Sequence, residues 1–329
     1  MHQRLRQRGA DIEGSIQNSS FWEHLSQVDS SLADIIQHEG FSSELFIAPG
    51  VPRIRPLLVY LSSEVGRSHS HATVEGSGLE HLAMSAELFY CAILIHDLAL
   101  GTQGGRRRRL AKRLLGKAIE WYGGNRLITR SLEMIMLTKS SEIMSEFVMS
   151  MREVQEAREN LAEWNGQIPL ETEVLSFAEN YTGAMFAFAC RAGGLLAQAD
   201  RREVNLLGRY GRMLGVAWQL TEELSVFDAP EQDALQVLES QLATNRPFYP
   251  IALAAAKNED INKKWDELRS SECEHLLTDL LHQIRASQTR ARTRQKIAEC
   301  TWTARKILRN LPESEHRQQL DNIAQALAK

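Results

Sequence analysis

The chain has 329 residues, 43% of them hydrophobic and 24% charged, with a formal net charge of −4 at pH 7. This is an ordinary globular mixture with ample material for a core, and nothing in it asks for nucleic acid or an acidic membrane. The four cysteines, Cys91, Cys190, Cys273 and Cys300, are scattered and form no CxxC, which fits buried thiols in a reducing compartment better than a disulfide framework or a zinc site.

Only 8 prolines and 20 glycines punctuate the chain, and apolar residues recur every three or four positions rather than every second one. The expected class is all-α, a single large helical bundle. Residues 1–20 read as a polar tail without an apolar signal segment, and 21–329 as one helical domain. No apolar run reaches about 18 residues free of charge, so no transmembrane helix is expected, and the cytoplasm is the expected location. A first helix is expected over 20–39, with Phe21, Leu25, Val28, Leu32 and Ile35 on one side and Gly40 at its stop. Pro49, Pro52 and Pro56 then interrupt the helical pattern, and a helix over 57–66 is expected to start after Pro56. His69 and His71, with His81 beyond, lack the ligand spacing of a metal site, and the first two read as part of a solvated loop. A long apolar helix over 79–100 ends in His96–Asp97, breaks at Gly101 and is followed by four arginines, Arg106 to Arg109. Further helices are expected over 109–122, 125–138, 141–163, 170–198, 200–227, 231–241 and 250–257. Gly183, Ala184, Ala187 and Ala189 permit close helix approach, and the last third reads as two or three helices broken near Ser287 and at Leu311–Pro312.

Several stretches, in order, resemble the trans-polyprenyl diphosphate synthases of the isoprenoid synthase fold. GVPRIRPLLVYL is similar to that family's GGKRIRP segment, and AELFYCAILIHDLALGTQGGRR to its first aspartate-rich segment with the paired arginines behind it. YTGAMFAFAC resembles the family's KT segment, RYGRMLGVAWQLTEELSVF its second aspartate-rich segment, and NRPFYPIAL its GKpTlP segment. The resemblance implies an all-α bundle of the isoprenoid synthase type in which two acid motifs on facing helices hold Mg²⁺ against a prenyl diphosphate. It also implies a basic pocket for the second substrate's diphosphate and an apolar tunnel for the prenyl chain.

Carried over position by position, Arg53, Arg55, Arg106, Arg107, Thr182, Gln219 and Arg246 are the expected diphosphate-binding residues, and Asp97, Glu222 and Glu223 the expected metal ligands. The acid motifs are degenerate. Leu98 and Gly101 stand at the second and third acids of the first motif, while Glu222, Glu223 and Val226 stand at the three aspartates of the second. Glutamate keeps the charge but moves the carboxylate outward by roughly an ångström or more, and Mg²⁺ is strict about geometry. Pro52 replaces the pocket lysine, Tyr90 its histidine or glutamine, and Tyr181 the lysine of the KT segment.

Each residue carries a plainer reading beside the functional one. Asp97 is a remaining ligand or a helix-end acid paired with Arg106 or Arg107. Arg53 and Arg55 contact phosphate or anchor their loop through ion pairs. Glu222 and Glu223 point about 100° apart on a helix and cannot share a face. One or two of Phe89, Tyr90, Phe186, Phe188 and Trp218 line a pocket and the rest are core. Ala92, Ile93 and Leu94 lie where the family sets tunnel depth and leave room for a longer tail. The expected function is a diverged homologue that does not perform ordinary Mg²⁺-dependent chain elongation. It would be a non-catalytic or regulatory prenyl-diphosphate-binding protein, paired as a homodimer or as a heterodimer with an active synthase. The alternative is a divergent prenyltransferase or terpene-cyclase-like enzyme.

Overall fold

Residues 19–41, 53–67, 76–100, 123–164, 166–243, 246, 248–270 and 274–328 are described by a computed structural model. Several expectations lie outside the described residues: most of the polar tail, the loop prolines Pro49 and Pro52, His69 and His71, Cys273, the helix over 109–122, and Arg106 to Arg109.

All regular structure among the described residues is helical. The helices are α1 (Ser19–His38), α2 (Ile54–Arg67), α3 (Gly76–Leu100), α4 (Gly123–Leu137), α5 (Ser141–Glu163), α6 (Glu171–Asn180), α7 (Thr182–Leu196), α8 (Arg201–Asp228), α9 (Glu231–Ala243), α10 (Tyr249–Ala255), α11 (Glu259–Ser270), α12 (Glu274–Ala286), α13 (Thr289–Leu308) and α14 (Glu315–Leu327). The all-α expectation holds. Three boundaries differ from the sequence reading.

α2 begins at Ile54 and takes Pro56 into its first turn, where a missing N–H leaves no hydrogen bond unmade; the first such bond runs from Leu57 N to Arg53 O at 3.1 Å. The helix expected over 170–198 is two helices broken at Tyr181, whose backbone turns to φ −100° and ψ −83°. The last third holds a further break, between Ser270 and Glu274. Ser77–Asp97 has the length and composition of a membrane span, but it carries Glu80 and Glu87 and most of it is buried inside the protein, as in the core helix of a bundle.

The bundle is organised on α7 and α8. α7 packs against α2 on one side and α8 on the other, α8 packs on α13, and α3 packs on α4. Glycine makes these contacts close. A Cβ at Gly193 would stand 2.3 Å from the Val59 carbonyl on α2, and one at Gly215 would stand 2.8 Å from the Gly183 Cα. The small-residue expectation for α7 thus holds at Gly183. The main core runs through α1 to α8, α13 and α14; at its centre Phe89, Phe147 and Phe188 meet edge to face, with centroids 5.1 to 6.5 Å apart. A second core forms where the end of α8 meets α9 to α12, around Phe227, Phe248 and Trp265. Cys91, Cys190 and Cys300 are free thiols, the first two buried.

Candidate functional site

The end of α3, the α6–α7 break, the second half of α8 and the segment before α10 converge on one region. That region holds the second of two clusters of charge.

The first joins α1, α2 and α3. Arg55 makes a bidentate pair with Glu87, Nε to Oε2 at 2.9 Å and one terminal nitrogen to Oε1 at 3.1 Å. Arg53 reaches the same carboxylate at 3.4 Å and donates through Nε to Asp29 at 2.5 Å. Arg53, Arg55 and Glu87 are all buried. Burial disfavours the Glu87 carboxylate, but Arg55 and Arg53 outweigh it and hold the group below the usual carboxylate range. The Arg55 guanidinium also lies over the Tyr90 ring, 3.6 Å from its centroid. Burial pushes the Tyr90 hydroxyl well up, so the ring stays neutral.

The second cluster spans the two acid positions. Asp97 accepts a hydrogen bond from the Tyr181 hydroxyl, and its other oxygen lies 3.1 Å from Nε of Arg158 on α5. The contact forms where the backbone breaks between α6 and α7. Burial, then the Asp97 charge, raises the Tyr181 hydroxyl far above its ordinary value, so it stays a donor. The ring stacks on Phe177, with centroids 4.9 Å apart. The Arg246 guanidinium sits over both rings at 4.9 and 5.0 Å, and 4.0 Å from Glu223. Glu223 is buried and accepts from Gln219 Nε2 at 2.9 Å and from the Tyr249 N–H at 2.8 Å. It thereby satisfies a donor at the start of α10. Gln219 in turn accepts from Thr182 at 2.6 Å. Burial pushes the Glu223 carboxyl up, more than Arg246, Tyr249 and Gln219 bring it down.

Seven of the sequence-derived residues therefore meet in two groups: Arg53 and Arg55 in one, and Thr182, Gln219, Glu223, Arg246 and Asp97 in the other. Glu222 is half-buried on a different side of α8 from Glu223, as the helical angle requires. Phe89, Phe186 and Phe188 are fully buried core, while Tyr90 and Trp218 are partly exposed. Sequence reasoning missed Asp29, Glu87, Arg158, Phe177 and Tyr249. Glu87 carried a signal, since it is the one acid in the apolar middle of α3, between Glu80 near its start and Asp97 near its end.

The sequence pattern of the family described as Polyprenyl synthetase matches residues 42–284, which include every residue of the two clusters except Asp29. The chain belongs to the polyprenyl synthetase family. Among its relatives is the octaprenyl diphosphate synthase of Escherichia coli (strain K12), 25% identical over 306 residues that cover 91% of each chain. Heptaprenyl diphosphate synthase component 2 of Geobacillus stearothermophilus is 24% identical over 242 residues, 70% of this chain and 72% of its own. The fold agrees with a polyprenyl synthase from Caulobacter crescentus, solved with calcium and isoprenyl diphosphate, at a TM-score of 0.76 and 21% identity, covering 100% of this chain and 98% of that one. The isoprenoid synthase expectation for the bundle therefore holds.

Polyprenyl synthases generally depend on Mg²⁺. Among the described residues no group of three or more His, Cys, Asp or Glu side chains is placed to hold a metal. At Asp97 and Glu223, each carboxylate oxygen already faces a donor or a guanidinium of the protein itself. These residues as arranged do not fit the oxygen-ligand shell that Mg²⁺ requires.

Proposed function

We propose that this polyprenyl synthetase family member binds a prenyl diphosphate but does not carry out ordinary Mg²⁺-dependent chain elongation, acting as a regulatory protein or as a subunit. Elongation needs a second substrate, whose diphosphate must be gripped by free cations. The single observation that carries this reading is the Arg53–Arg55–Glu87–Asp29 cluster, in which both pocket arginines are buried and already matched by carboxylates. A diphosphate arriving there would have to displace Glu87 from a bidentate pair. The thinned acid motifs, with Leu98, Gly101 and Val226 at family acid positions, support the same conclusion.

The test is incubation of the purified chain with labelled isopentenyl diphosphate, an allylic diphosphate and Mg²⁺. No elongated product is expected, and robust product from the chain alone would reject the reading. We further propose that the partner is a catalytically active synthase. A relative named as component 2 of a heptaprenyl diphosphate synthase supports this, as do the exposed apolar side chains Met136, Leu137, Val148 and Met149 on α4 and α5. Light scattering of the chain alone and mixed with such a synthase separates a homodimer from a heteromer.

One observation favours the alternative of a divergent prenyltransferase or cyclase. The Thr182–Gln219–Glu223 line is intact and hydrogen-bonded throughout. Pyrophosphate release from an allylic diphosphate without a second substrate would select that alternative.

A further inference from the structure

The two acid positions carry arginines where metal chemistry would need open carboxylates. Asp97 has one oxygen on the Tyr181 hydroxyl and the other 3.1 Å from Arg158. Glu223 has its oxygens on Gln219 and the Tyr249 N–H, with Arg246 4.0 Å away. The distance between the acids is bridged by the protein itself, since Tyr181 touches Asp97 and Arg246 lies over Tyr181. A dication entering there would gain the attraction of each carboxylate and meet the repulsion of a guanidinium beside it.

Arg246 has its guanidinium held by aromatic faces rather than by a carboxylate at hydrogen-bond distance. Its Nε is buried without a hydrogen-bond partner, and its nearest carboxylate, at 4.0 Å, is beyond hydrogen-bond reach. Two aromatic faces hold the group instead, and the side chain keeps 20% of its surface open to solvent. A guanidinium presents five N–H donors in a fork that matches phosphate oxygens. The exposed part of the guanidinium is open to a phosphoryl group arriving from the solvent side, which would give it an acceptor that the protein does not supply.

We propose that Arg158 and Arg246 are resident counter-cations standing in for divalent metal between the two acid positions, so that the site excludes Mg²⁺ and Arg246 receives a diphosphate without it. The metal-exclusion half stands on the geometry alone; the diphosphate half rests on the prenyl-diphosphate reading above.

The experiment has two arms. In the first, Mn²⁺ is titrated into the metal-stripped full chain and free Mn²⁺ is followed by electron paramagnetic resonance. No saturable binding is expected below about 1 mM, the range of weak carboxylate sites. The Arg158→Ala/Arg246→Ala double variant should gain a site that Asp97→Asn removes. Saturable binding by the wild type, abolished by Asp97→Asn, would overturn the proposal, and the wild-type titration decides this whether or not the double variant folds. In the second arm, farnesyl diphosphate is titrated calorimetrically in EDTA and in excess Mg²⁺. The two affinities should agree within about threefold, and Arg246→Ala should weaken both by about tenfold, equivalent to 1.4 kcal/mol, with Arg246→Lys partly restoring them. An affinity raised tenfold or more by Mg²⁺ would overturn the metal-free half. No binding in either buffer would remove the prenyl-diphosphate reading and the second half together, while the Mn²⁺ arm still decides the first.

Discussion

A buried guanidinium and carboxylate are far more costly apart than together. Glu87→Gln leaves Arg55 facing a neutral amide in the interior, while Arg53 keeps Asp29, and about 3–5 kcal/mol of stability should be lost, read as a lower urea midpoint. Replacing the pair together, as Arg55→Met with Glu87→Leu, should recover much of that loss. Because the folded Glu87 pKa lies below its ordinary value, its contribution is complete above the ordinary carboxylate range and disappears as pH falls through the lower folded value. His96 behaves alike at a higher pH. Burial first, then the Arg158 charge, lowers it from 6.5, so stability is full above 6.5 and declines as pH falls through the folded value. Denaturant midpoints measured from about pH 7.5 down to 5 should fall in the wild type and fall less in His96→Gln. The same ring forbids a side chain on α4, since a Cβ at Gly124 would lie 2.2 Å from it.

Among the helices, what the sequence revealed and what it hid have physical reasons. Long amphipathic stretches such as α5, found over the expected 141–163, carry their pattern locally. The break at Tyr181 has neither proline nor glycine to announce it; it is set by tertiary contacts, the stacking on Phe177 and the bond to Asp97. Pro56 misled in the opposite direction, because a proline stops a helix only beyond its first turn. The site was legible where side chains belong to contiguous motifs, as with Thr182, Gln219 and Glu223. Arg158 was not, because it sits on a polar helix whose spacing says nothing about a partner on α3. The glycine contacts make a sharper claim about α2, α7 and α8. Gly193→Ala pushes a methyl against the backbone of α2 and should lower stability by about 1–3 kcal/mol in thermal unfolding. An unchanged midpoint would mean that the two helices are not that close.

For the molecule as a whole, α3 sets a problem that arises before the fold exists. On a ribosome, Ser77–Asp97 emerges as a segment apolar enough to be taken for a membrane span. Its midpoint is Glu87, an acid whose two arginine partners lie on the part of the chain already synthesised. An ionised side chain at the centre of such a segment opposes lipid insertion by about 2.5–3.5 kcal/mol on the scale measured for charged residues, and here the compensating cations are waiting in water. The same carboxylate that pairs with the two arginines thus also disfavours placing α3 in lipid. Glu87→Leu should shift a fraction of newly made protein into the membrane pellet, whereas Glu87→Asp, which keeps the charge, should leave it in the supernatant.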